Sequence, residues 1–506
     1  MNRQMRYAYE PYMNQPGAMH HTSVQPYFMP ELDTLIPADT SLYDFKSYGI
    51  GRQRFVGRYL NNLLNGHFIR VDTGDFYLTI DPLFNFQRGR DFHGNKNTWV
   101  NTRGFWVRGA IGKKFAFESS VYENQAVFVD YIDRFVRERD VVPGQGQQKR
   151  FKQDGFDYNM AMGHISYSPS QYVNFQFGHG KHFIGDGYRS LLLSDNAFAY
   201  PYLKVTTTIW KFKYTNIFSQ FNNLAEQRNV LHHRKNAAIH YLSTNIGKRL
   251  QVGLYESVIY EVDSMGRRGL DVNYLNPVIF YRSVEFAVGS PDRALVGLNL
   301  KYLFAKTFWV YGQGMIDDLK ISELKLENSR YRQKWGYQLG FVWLDPIGIK
   351  NLRWQSEYNQ VTPYSYTHRN PIQTYSHYNQ ELAHPLGANF RENVNFLSYR
   401  HKRFFVEGRY SYAMYGANTP GINYGNNIFM YRGTGIPGHV HRLGQGQLTN
   451  LHHTGLTLAY IINPVTNMRF EVSYLRRIES SAVHRHQTNF FSVGLSTNLR
   501  NIYYDF

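Results

Sequence analysis

From about residue 76 onward, apolar and polar residues alternate in segments of about ten residues. In RALVGLNLKYLF (293–304), Leu298 and Leu300 belong to an apolar face, whereas Asn299 and Lys301 belong to a polar face. A period of two places successive side chains on opposite faces of a β-strand. Strands with one apolar face and one polar, partly charged face are typical of barrels that separate lipid from an aqueous lumen. The alternation therefore predicts a transmembrane β-barrel.

The number of alternating segments and the lengths of their connections support a closed barrel. Short turns such as SPSQ (168–171) and NPVTN (463–467) alternate with long loops such as 222–235 and 415–453. An even number of strands, with short turns at one end and long loops at the other, is expected of outer-membrane barrels. The predicted fold class is all-β, a closed antiparallel transmembrane β-barrel of about 18 strands with inward-folded loops. Its strands are predicted at 76–87, 100–110, 113–121, 158–167, 172–180, 202–209, 212–221, 236–245, 249–260, 293–304, 307–316, 334–344, 351–361, 395–401, 403–414, 454–462, 467–476 and 488–500.

Two stretches are difficult to reconcile with this count. TTTIWKFKY (206–214) must contain a turn, although it has none of the Gly, Pro, Asn or Asp residues that usually form turns. NYLNPVIFYRSVEF (273–286) has the pattern of a strand but must lie within a long loop. To keep the number of strands even, we expect a turn within 206–214 and a loop at 273–286.

Three regions are predicted along the chain. Residues 1–50 are rich in Pro, Tyr and Met without periodicity, so we expect an irregular N-terminal arm. Residues 51–75 are expected to form a short helical periplasmic segment, because RFVGRYLNNLLNG (54–66) has apolar residues at helical spacing. Residues 76–506 form the outer-membrane barrel in this prediction. A second amphipathic helix is predicted at VFVDYIDRFVRERD (127–140).

The composition agrees with a barrel and excludes several features of other protein classes. Aromatic residues make up 17% of the chain and the mean hydropathy is −0.48. No run of about 18 apolar residues is present to form a transmembrane helix. Cysteine is absent, which excludes disulfides and a cysteine nucleophile. The first residues lack the apolar segment of a signal peptide, so an outer-membrane protein would be numbered here from its mature form.

The net charge of +18 indicates an acidic partner. The basic residues are dispersed among aromatic residues and no nucleic-acid motif is present, so nucleic acid is not expected. Aromatic rings stack on sugars, while Arg and Lys pair with carboxylates or phosphates. The loop 362–394 is dense in Tyr, His and Asn. It is interpreted either as a glycan contact or as an interfacial aromatic girdle with an ordinary surface loop.

The chain ends in NLRNIYYDF, which continues the alternating pattern. A C-terminal Phe preceded by alternating residues resembles the signal by which the bacterial barrel-assembly machinery recognises its clients. We therefore expect the last strand to reach residue 500 and the final residues to carry this signal.

The stretch GHGKHFIGDGYRSLLLSDNAFAYPY (178–202) combines glycines with charged residues. It does not match a phosphate-binding loop, because Asp186 stands where a Walker lysine is needed and Phe183 breaks the Rossmann pattern. RSLLLSDNAF (189–198) is too apolar for a solvated loop, so we predict that it folds into the lumen as a plug. Its charged residues either line a lumenal ligand site or pair with one another, as buried charges generally must. The candidate ligand-binding residues are Lys181, His182, Asp186, Arg189, Asp195, Arg282 and Glu285.

Neither a metal site nor a catalytic site is expected. Histidine pairs recur, but no carboxylate or cysteine accompanies them at the spacing of metal ligands. Ser190 and Ser194 are candidate hydrolase nucleophiles, but no nucleophile elbow surrounds them. The sequence therefore predicts no cofactor and no enzymatic activity. The histidine pairs are His20/His21, His232/His233, His439/His441, His452/His453 and His484/His486.

Three stretches together resemble a known family. They are FIGDGYRSLLLSDNAFAYPYLK (183–204), YLNPVIFYRSVEFAVGSPDRALVGLNLKY (274–302) and LAHPLGANFRE (382–392). They resemble the Wzi-like outer-membrane proteins, and specifically the RemB-type members from gliding bacteria. The resemblance implies a barrel of the same strand number, with a helical periplasmic part, that tethers capsular polysaccharide. For the RemB type it implies a link to gliding motility or cell-surface adhesion, and it assigns no site residues.

The predicted function is that of a non-catalytic outer-membrane barrel with a plugged lumen. Such a barrel would bind or anchor surface polysaccharide, or support gliding motility and surface adhesion. The alternatives are a scaffold subunit of a larger envelope complex for secretion or uptake, and a porin-like channel. The expected partners are outer-membrane lipid, surface polysaccharide, and other outer-membrane or periplasmic proteins. The expected location is the bacterial outer membrane.

Overall fold

The computed structural model shows a closed antiparallel β-barrel whose eighteen strands each pair with the next strand in the chain. This confirms the predicted fold class and the even strand count. The structure describes residues 2–18, 20–36, 47–49, 55–224, 232–261, 293–317, 334–430, 442–497 and 500–506. The barrel strands are β1 (Phe76–Asp91), β2 (Lys96–Ile111), β3 (Phe115–Val127), β4 (Gly155–Tyr167), β5 (Val173–Gly180), β6 (Tyr200–Ile209), β7 (Phe212–Asn223), β8 (His233–Ile246), β9 (Leu250–Glu261), β10 (Arg293–Ala305), β11 (Phe308–Asp317), β12 (Lys334–Leu344), β13 (Leu352–Val361), β14 (Phe390–His401), β15 (Phe404–Ala417), β16 (Gln447–Asn463), β17 (Met468–Ser480) and β18 (Arg485–Thr497).

The barrel closes along one edge of β1. Residues 85–91 of β1 pair with β18. Residues 77–80, on the same edge, pair with a short strand at Ile69–Asp72. The paired wall therefore begins at Ile69, somewhat before the predicted residue 76, because this short strand covers the part of β1 that β18 does not reach.

Alternation along the strands places apolar side chains outside and polar side chains in the lumen. In β10, Leu298 and Leu300 on the outer face are 38% and 39% exposed, whereas Asn299 and Lys301 are buried. Asn299 and Lys301 bond to the N-terminal arm inside the barrel, which identifies theirs as the lumenal face. The predicted direction of the alternation is confirmed.

The turn required within TTTIWKFKY lies at Trp210 and Lys211. Ile209 at the end of β6 pairs with Phe212 at the start of β7, which leaves a two-residue hairpin loop. Trp210 has a φ of 54°, a left-handed conformation that is uncommon for a large side chain. The predicted turn is thus present, formed by residues that turn statistics do not favour. The stretch 273–286 lies outside the described residues.

The helices are few and short. They are α1 (Arg3–Arg6), α2 (Glu10–Met13), α3 (Met29–Asp33), α4 (Phe55–Asn65) and α5 (Asp130–Arg139), with 3₁₀ turns at Pro346–Gly348 and Pro371–Gln373. Helices α4 and α5 lie where the sequence predicts helices. No helix in the described ranges is long and apolar enough to cross a membrane. The remaining short strands are Val24–Gln25 paired with Phe183–Ile184, Ser376–His377 paired with Gln380–Glu381, and Lys149–Phe151 paired with the start of β4.

The N-terminal arm lies inside the barrel and contains α1 to α3, although the sequence predicts an irregular arm. Arg3 forms an ion pair of 2.6 Å with Glu407 of β15, and Glu10 forms one of 2.7 Å with Arg353 of β13. Both wall residues lie near the strand ends that short turns connect, so the arm fills the lumen at this short-turn end. A charged arm is stable there because inward-facing charges of the wall pair with it.

The C-terminal residues also enter the lumen, and the prediction that the last strand reaches residue 500 is wrong. β18 ends at Thr497, and residues 500–506 have no strand structure. Phe506 packs against Phe135 of α5, with ring centroids 4.8 Å apart. Asp505 is only 1% exposed and pairs with arginines in the lumen. These residues leave the wall because the carboxylate of Asp505 needs cationic partners, which the lumen supplies and the lipid does not.

The largest apolar cluster of the described residues lies in the lumen. Leu191, Leu192 and Leu193 are fully buried and pack with inward-facing residues of β7 to β10 and with loop tyrosines. RSLLLSDNAF therefore folds inward, as the sequence predicts. Gly297 of β10 lies against Leu192, where an added methyl group would clash with the leucine side chain.

Replacing Gly297 by alanine tests this contact between the plug and the wall. We expect Gly297→Ala to lower the free energy of unfolding by about 1–3 kcal/mol, because an extra methyl group in a packed core displaces its neighbours. The measurement is thermal unfolding of the purified protein in detergent. Gly314→Ala on β11 is the matched control, since a methyl group there meets open space.

Leu192→Ala should destabilise the Gly297→Ala variant less than it destabilises the wild type, because the shorter side chain makes room for the methyl group. Equal melting temperatures for the Gly297→Ala and Gly314→Ala variants would contradict the close contact.

Candidate functional site in the lumen

The plug segment follows β5 and is tied to both the arm and the wall. Phe183–Ile184 pairs with Val24–Gln25 of the N-terminal arm. The backbone N–H of Leu191 donates a hydrogen bond of 2.9 Å to the side-chain oxygen of Gln313 in β11. These contacts fix the start and the middle of the plug in the lumen.

Glu357 on β13 holds the turn of the plug. Its carboxylate accepts the backbone N–H groups of Tyr188 and Arg189 at 2.7 and 3.0 Å. The same carboxylate accepts the hydroxyl of Tyr311 at 2.9 Å. A methyl group on Gly187 would clash with it, so the plug can approach the wall this closely only with glycine at this position.

Arg189 lies at the centre of a buried ion cluster. Its guanidinium bonds to Glu392 of β14 at 2.9 Å and to Asp505 of the C-terminal segment at 3.0 Å. These three residues are at most 2% exposed. Glu392 also bonds to His384 at 2.7 Å. One cation between two carboxylates, shielded from water, joins three distant parts of the chain.

Charge pairing outweighs burial in this cluster. Burial disfavours the charged form of Arg189, but Asp505 and Glu392 more than offset this, so the pKa of Arg189 lies above its ordinary value. Burial alone would raise the pKa of Asp505, but Arg189 and Arg409 hold it well below its ordinary value. Both groups therefore stay charged at neutral pH.

Asp505 extends the cluster across the lumen. Its carboxylate accepts the hydroxyl of Tyr188 at 2.9 Å and lies 3.3 Å from the guanidinium of Arg409 on β15. Arg409 in turn contacts the ring of His453 on β16 at 2.7 Å. The cluster thus reaches from the plug to three adjacent strands, β14 to β16.

Asp186 belongs to a second cluster, between the plug and the N-terminal arm. Its carboxylate accepts hydrogen bonds from Thr22, from Ser23 at 2.9 Å and from Asn299 of β10 at 2.9 Å. The ammonium group of Lys301 lies 3.7 Å away. These neighbours satisfy the carboxylate and attach the arm to the plug.

Lys181, His182 and Asp195 lie in a third region, near the long-loop end. Lys181 donates to the carbonyl oxygens of Gly144 and Asp195, and burial lowers the pKa of Lys181 to about 8. The Asp195 carboxylate accepts the hydroxyl of Tyr503 at 2.7 Å. His182 is 1% exposed, and burial holds the pKa of its ring well below the ordinary value.

The structure therefore separates the predicted site residues instead of bringing them together. The five described candidates fall into three clusters, and each has partners within the protein. This geometry matches the interpretation of a self-paired network, and ligand contact by these residues stays a prediction. Arg282 and Glu285 lie outside the described residues.

The sequence analysis did not identify several residues of the main cluster. Glu357, Glu392 and Arg409 occupy inward positions of the alternating strands, so the alternation itself could have marked them as lumenal charges. The lumenal position of Asp505 was missed because the final residues were interpreted as an assembly signal.

The loop between β13 and β14 forms a second inward-folded segment. Tyr366 and Tyr375 donate hydrogen bonds of 2.8 and 2.7 Å to carbonyl oxygens of the plug, and both are 1% exposed. Among residues 362–389, only Arg369 and Pro371 are well exposed. Tyr366 and Tyr375 thus pack inside the barrel and belong to no interfacial aromatic girdle, and glycan contact by the loop stays a prediction.

Exposed basic groups occur at the long-loop end. Arg137 on α5 and Arg485 and His486 at the start of β18 are exposed. The rings of His484 and His486 lie 5.0 Å apart. No group of three or more His, Asp or Glu side chains in the described part of the chain could hold a metal ion. This end therefore offers basic and aromatic groups to solvent.

The fold is similar to those of solved outer-membrane barrels. Wzi of Escherichia coli, described as an outer-membrane protein involved in group 1 capsule assembly and a carbohydrate-binding β-barrel, matches with a TM-score of 0.57. The identity is 14%, over 98% of each chain. OprD of Pseudomonas aeruginosa matches with a TM-score of 0.44 at 10% identity, over 83% of this chain and 94% of that chain. No family model and no curated protein matches the chain.

Replacing Arg189 by methionine tests the ion cluster. The change leaves Glu392 and Asp505 buried without their shared cation, so we expect a loss of about 3–5 kcal/mol in the free energy of unfolding. The measurement is thermal unfolding in detergent. Arg137→Met is the control, because this exposed arginine forms its ion pair with Asp133 on its own helix, and losing that pair should cost less than about 1 kcal/mol.

A triple variant distinguishes lost charge pairing from lost packing. With Glu392→Gln and Asp505→Asn added to Arg189→Met, both buried carboxylates are neutral and only Arg409 loses an ion pair, so part of the stability should return. A triple variant no more stable than Arg189→Met alone would contradict the electrostatic account.

Proposed function

We propose that this protein is a bacterial outer-membrane barrel that holds a surface polysaccharide at its long-loop end and does not conduct solutes. The observation that carries the proposal is the filled lumen. The arm, the plug, the loop after β13 and the C-terminal segment all occupy it, and their charged groups are ion-paired or hydrogen-bonded within the protein. A porin needs a continuous aqueous path, and several paired segments would have to leave together to open one.

The likeness to Wzi supports a holding function. Wzi is described as a carbohydrate-binding barrel of capsule assembly, and this chain shares its fold over nearly its whole length. The exposed basic and aromatic groups of the long-loop end can bond to sugar hydroxyls and pair with acidic sugars. The RemB type and its link to gliding motility rest on the resemblance of three sequence stretches, and no comparison adds to that support.

We also propose that the protein is not an enzyme, although three residues at the end of β17 and in the turn after it have the composition of a hydrolase triad. The hydroxyl of Ser481 lies 2.8 Å from Nδ1 of His484, and Nε2 of His484 lies 3.6 Å from Glu479. The Ser481 oxygen also accepts N–H groups from Gln447 and from the backbone of the turn. These donors weaken the oxygen as a nucleophile, and their arrangement is that of a side chain stabilising a turn.

Planar-bilayer recording tests the closed lumen. We expect no large steady conductance from the purified protein, because paired segments occupy the lumen at both ends. A porin of known conductance, reconstituted in the same way, is the positive control. Steady open-channel currents from this protein would contradict the proposal and favour the porin-like alternative.

Polysaccharide retention tests the holding function. The probe is the surface polysaccharide extracted from the bacterium that produces the protein, passed over the immobilised protein. We expect Arg485→Ala/His486→Ala to weaken retention at least about tenfold, because hydrogen bonds to charged groups contribute about 1.5–3 kcal/mol each.

The matched control is His401→Ala/Lys402→Ala, which removes the same kinds of exposed side chain at the short-turn end. Retention should be unchanged in this control. No binding by the wild-type protein would refute the holding function, and equal losses in both variants would contradict the assignment to the long-loop end.

A further inference from the structure

The outer face of β14 to β17 is apolar up to one boundary that crosses the strands. Beyond it, polar and charged side chains appear on this face, together with Ile478 and Leu448. Residues that are paired across neighbouring strands form one row on each side of this boundary. The last row on the apolar side consists of Leu397, Gly408, Leu456 and Tyr474. The first row on the polar side consists of Asn395, Tyr410, Thr454 and Arg476.

This boundary marks the depth at which the wall leaves the hydrocarbon. On the apolar side, Leu397 and Leu456 are 52% and 45% exposed, and Phe404 and Phe470, nearer the short-turn end, are 60% and 46% exposed. Such a band is where a barrel contacts acyl chains. Outward side chains immediately beyond it lie at the level of the lipid headgroups.

Two outward arginines beyond the boundary have no acidic partner. Arg391 and Arg476 are exposed, and neither forms an ion pair with a residue in the described ranges. By contrast, Arg477, which points into the lumen, bonds to Glu479 at 2.8 Å. The wall thus pairs its inward arginine and leaves these two outward cations open to an anion.

Aromatic and amide groups lie on the same outward face, on the strands between the two arginines. The hydroxyl of Tyr410 lies 3.2 Å from Nδ1 of His452, and the ring of Tyr412 lies 4.9 Å from the His452 ring. Tyr412 donates a hydrogen bond of 2.8 Å to Asn450. Rings held in this way present faces and polar edges that suit sugars. We name Arg391, Asn393, Tyr410, Tyr412, His452 and Arg476 the outer polar face.

We propose that the outer polar face binds the phosphorylated sugar headgroup of an outer-leaflet glycolipid. Arg391 and Arg476 pair with its phosphate groups, as guanidinium groups do in bidentate geometry, and the tyrosines and His452 contact its sugars. The depth of the face and its positive charge favour an anionic headgroup over a soluble ligand. The inference rests on the proposed outer-membrane location and is independent of polysaccharide holding.

The test measures lipid A binding to the purified full-length protein by native mass spectrometry after detergent exchange. We expect Arg391→Ala/Arg476→Ala to weaken binding of bisphosphorylated lipid A at least about tenfold, since each phosphate loses a charge-assisted partner. Monophosphorylated lipid A should bind the wild type more weakly. Arg391→Lys/Arg476→Lys should retain part of the affinity, because the charge remains.

The control is Lys113→Ala/Lys350→Ala, which removes two exposed cations at the short-turn end and should leave binding unchanged. Thermal unfolding verifies that each variant is folded. Equal affinity in the Arg391→Ala/Arg476→Ala variant and this control would overturn the proposal. The proposal would also be overturned if the Arg391→Ala/Arg476→Ala variant still bound lipid A but no longer self-associated, which would assign the face to a second copy of the protein. The same holds if the variant still bound lipid A but no longer retained the polysaccharide, which would assign the face to the polysaccharide.

Discussion

The architecture depends on the burial of Arg189 between Glu392 and Asp505. These partners lie 203 and 316 residues away along the chain. Removing such ions from water costs several kcal/mol per ion, and only close pairing and additional hydrogen bonds offset that cost. Any displacement of the plug would leave charges buried and unpaired. The plug therefore occupies one position, and the rigid wall determines that position because it supplies the partners.

The same constraint applies to the other segments inside the barrel. The lumenal face of each strand is polar, so a segment that replaces water there must bring complementary charges or polar groups. The N-terminal arm meets this condition through Arg3 and Glu10, which pair with Glu407 and Arg353. The plug meets it through Asp186 and adds an apolar centre at residues 191–193, which packs against inward-facing apolar residues of β7 to β10.

Sequence alone predicts the wall well, because period-two alternation is a local property of each strand. Even the turn at Trp210 follows from the strand count, against local turn preferences. The sequence also places Arg189 in an inward-folded segment, since an apolar run cannot remain in a solvated loop. The sequence does not reveal the partners of Arg189. Alternation assigns a residue to one face of a strand, but it does not show which distant segment contacts that residue. The lumenal position of Asp505 was missed for the same reason, since local alternation continues through a segment that leaves the wall.

A lumen whose charges are paired internally has little capacity left for a ligand, so binding is expected outside it. A moderate fall in pH below neutral does not break the ion pairs of Asp505. Because the pKa of Asp505 is lowered, its stabilising contribution is complete above the ordinary carboxyl range and is lost only as the pH falls through the lowered value. Among the described residues, Arg391 and Arg476 on the wall and Arg485 at the rim are exposed and have no carboxylate partner. The plug thus occupies a fixed place in the lumen, whereas these outward cations lie exposed near the long-loop end.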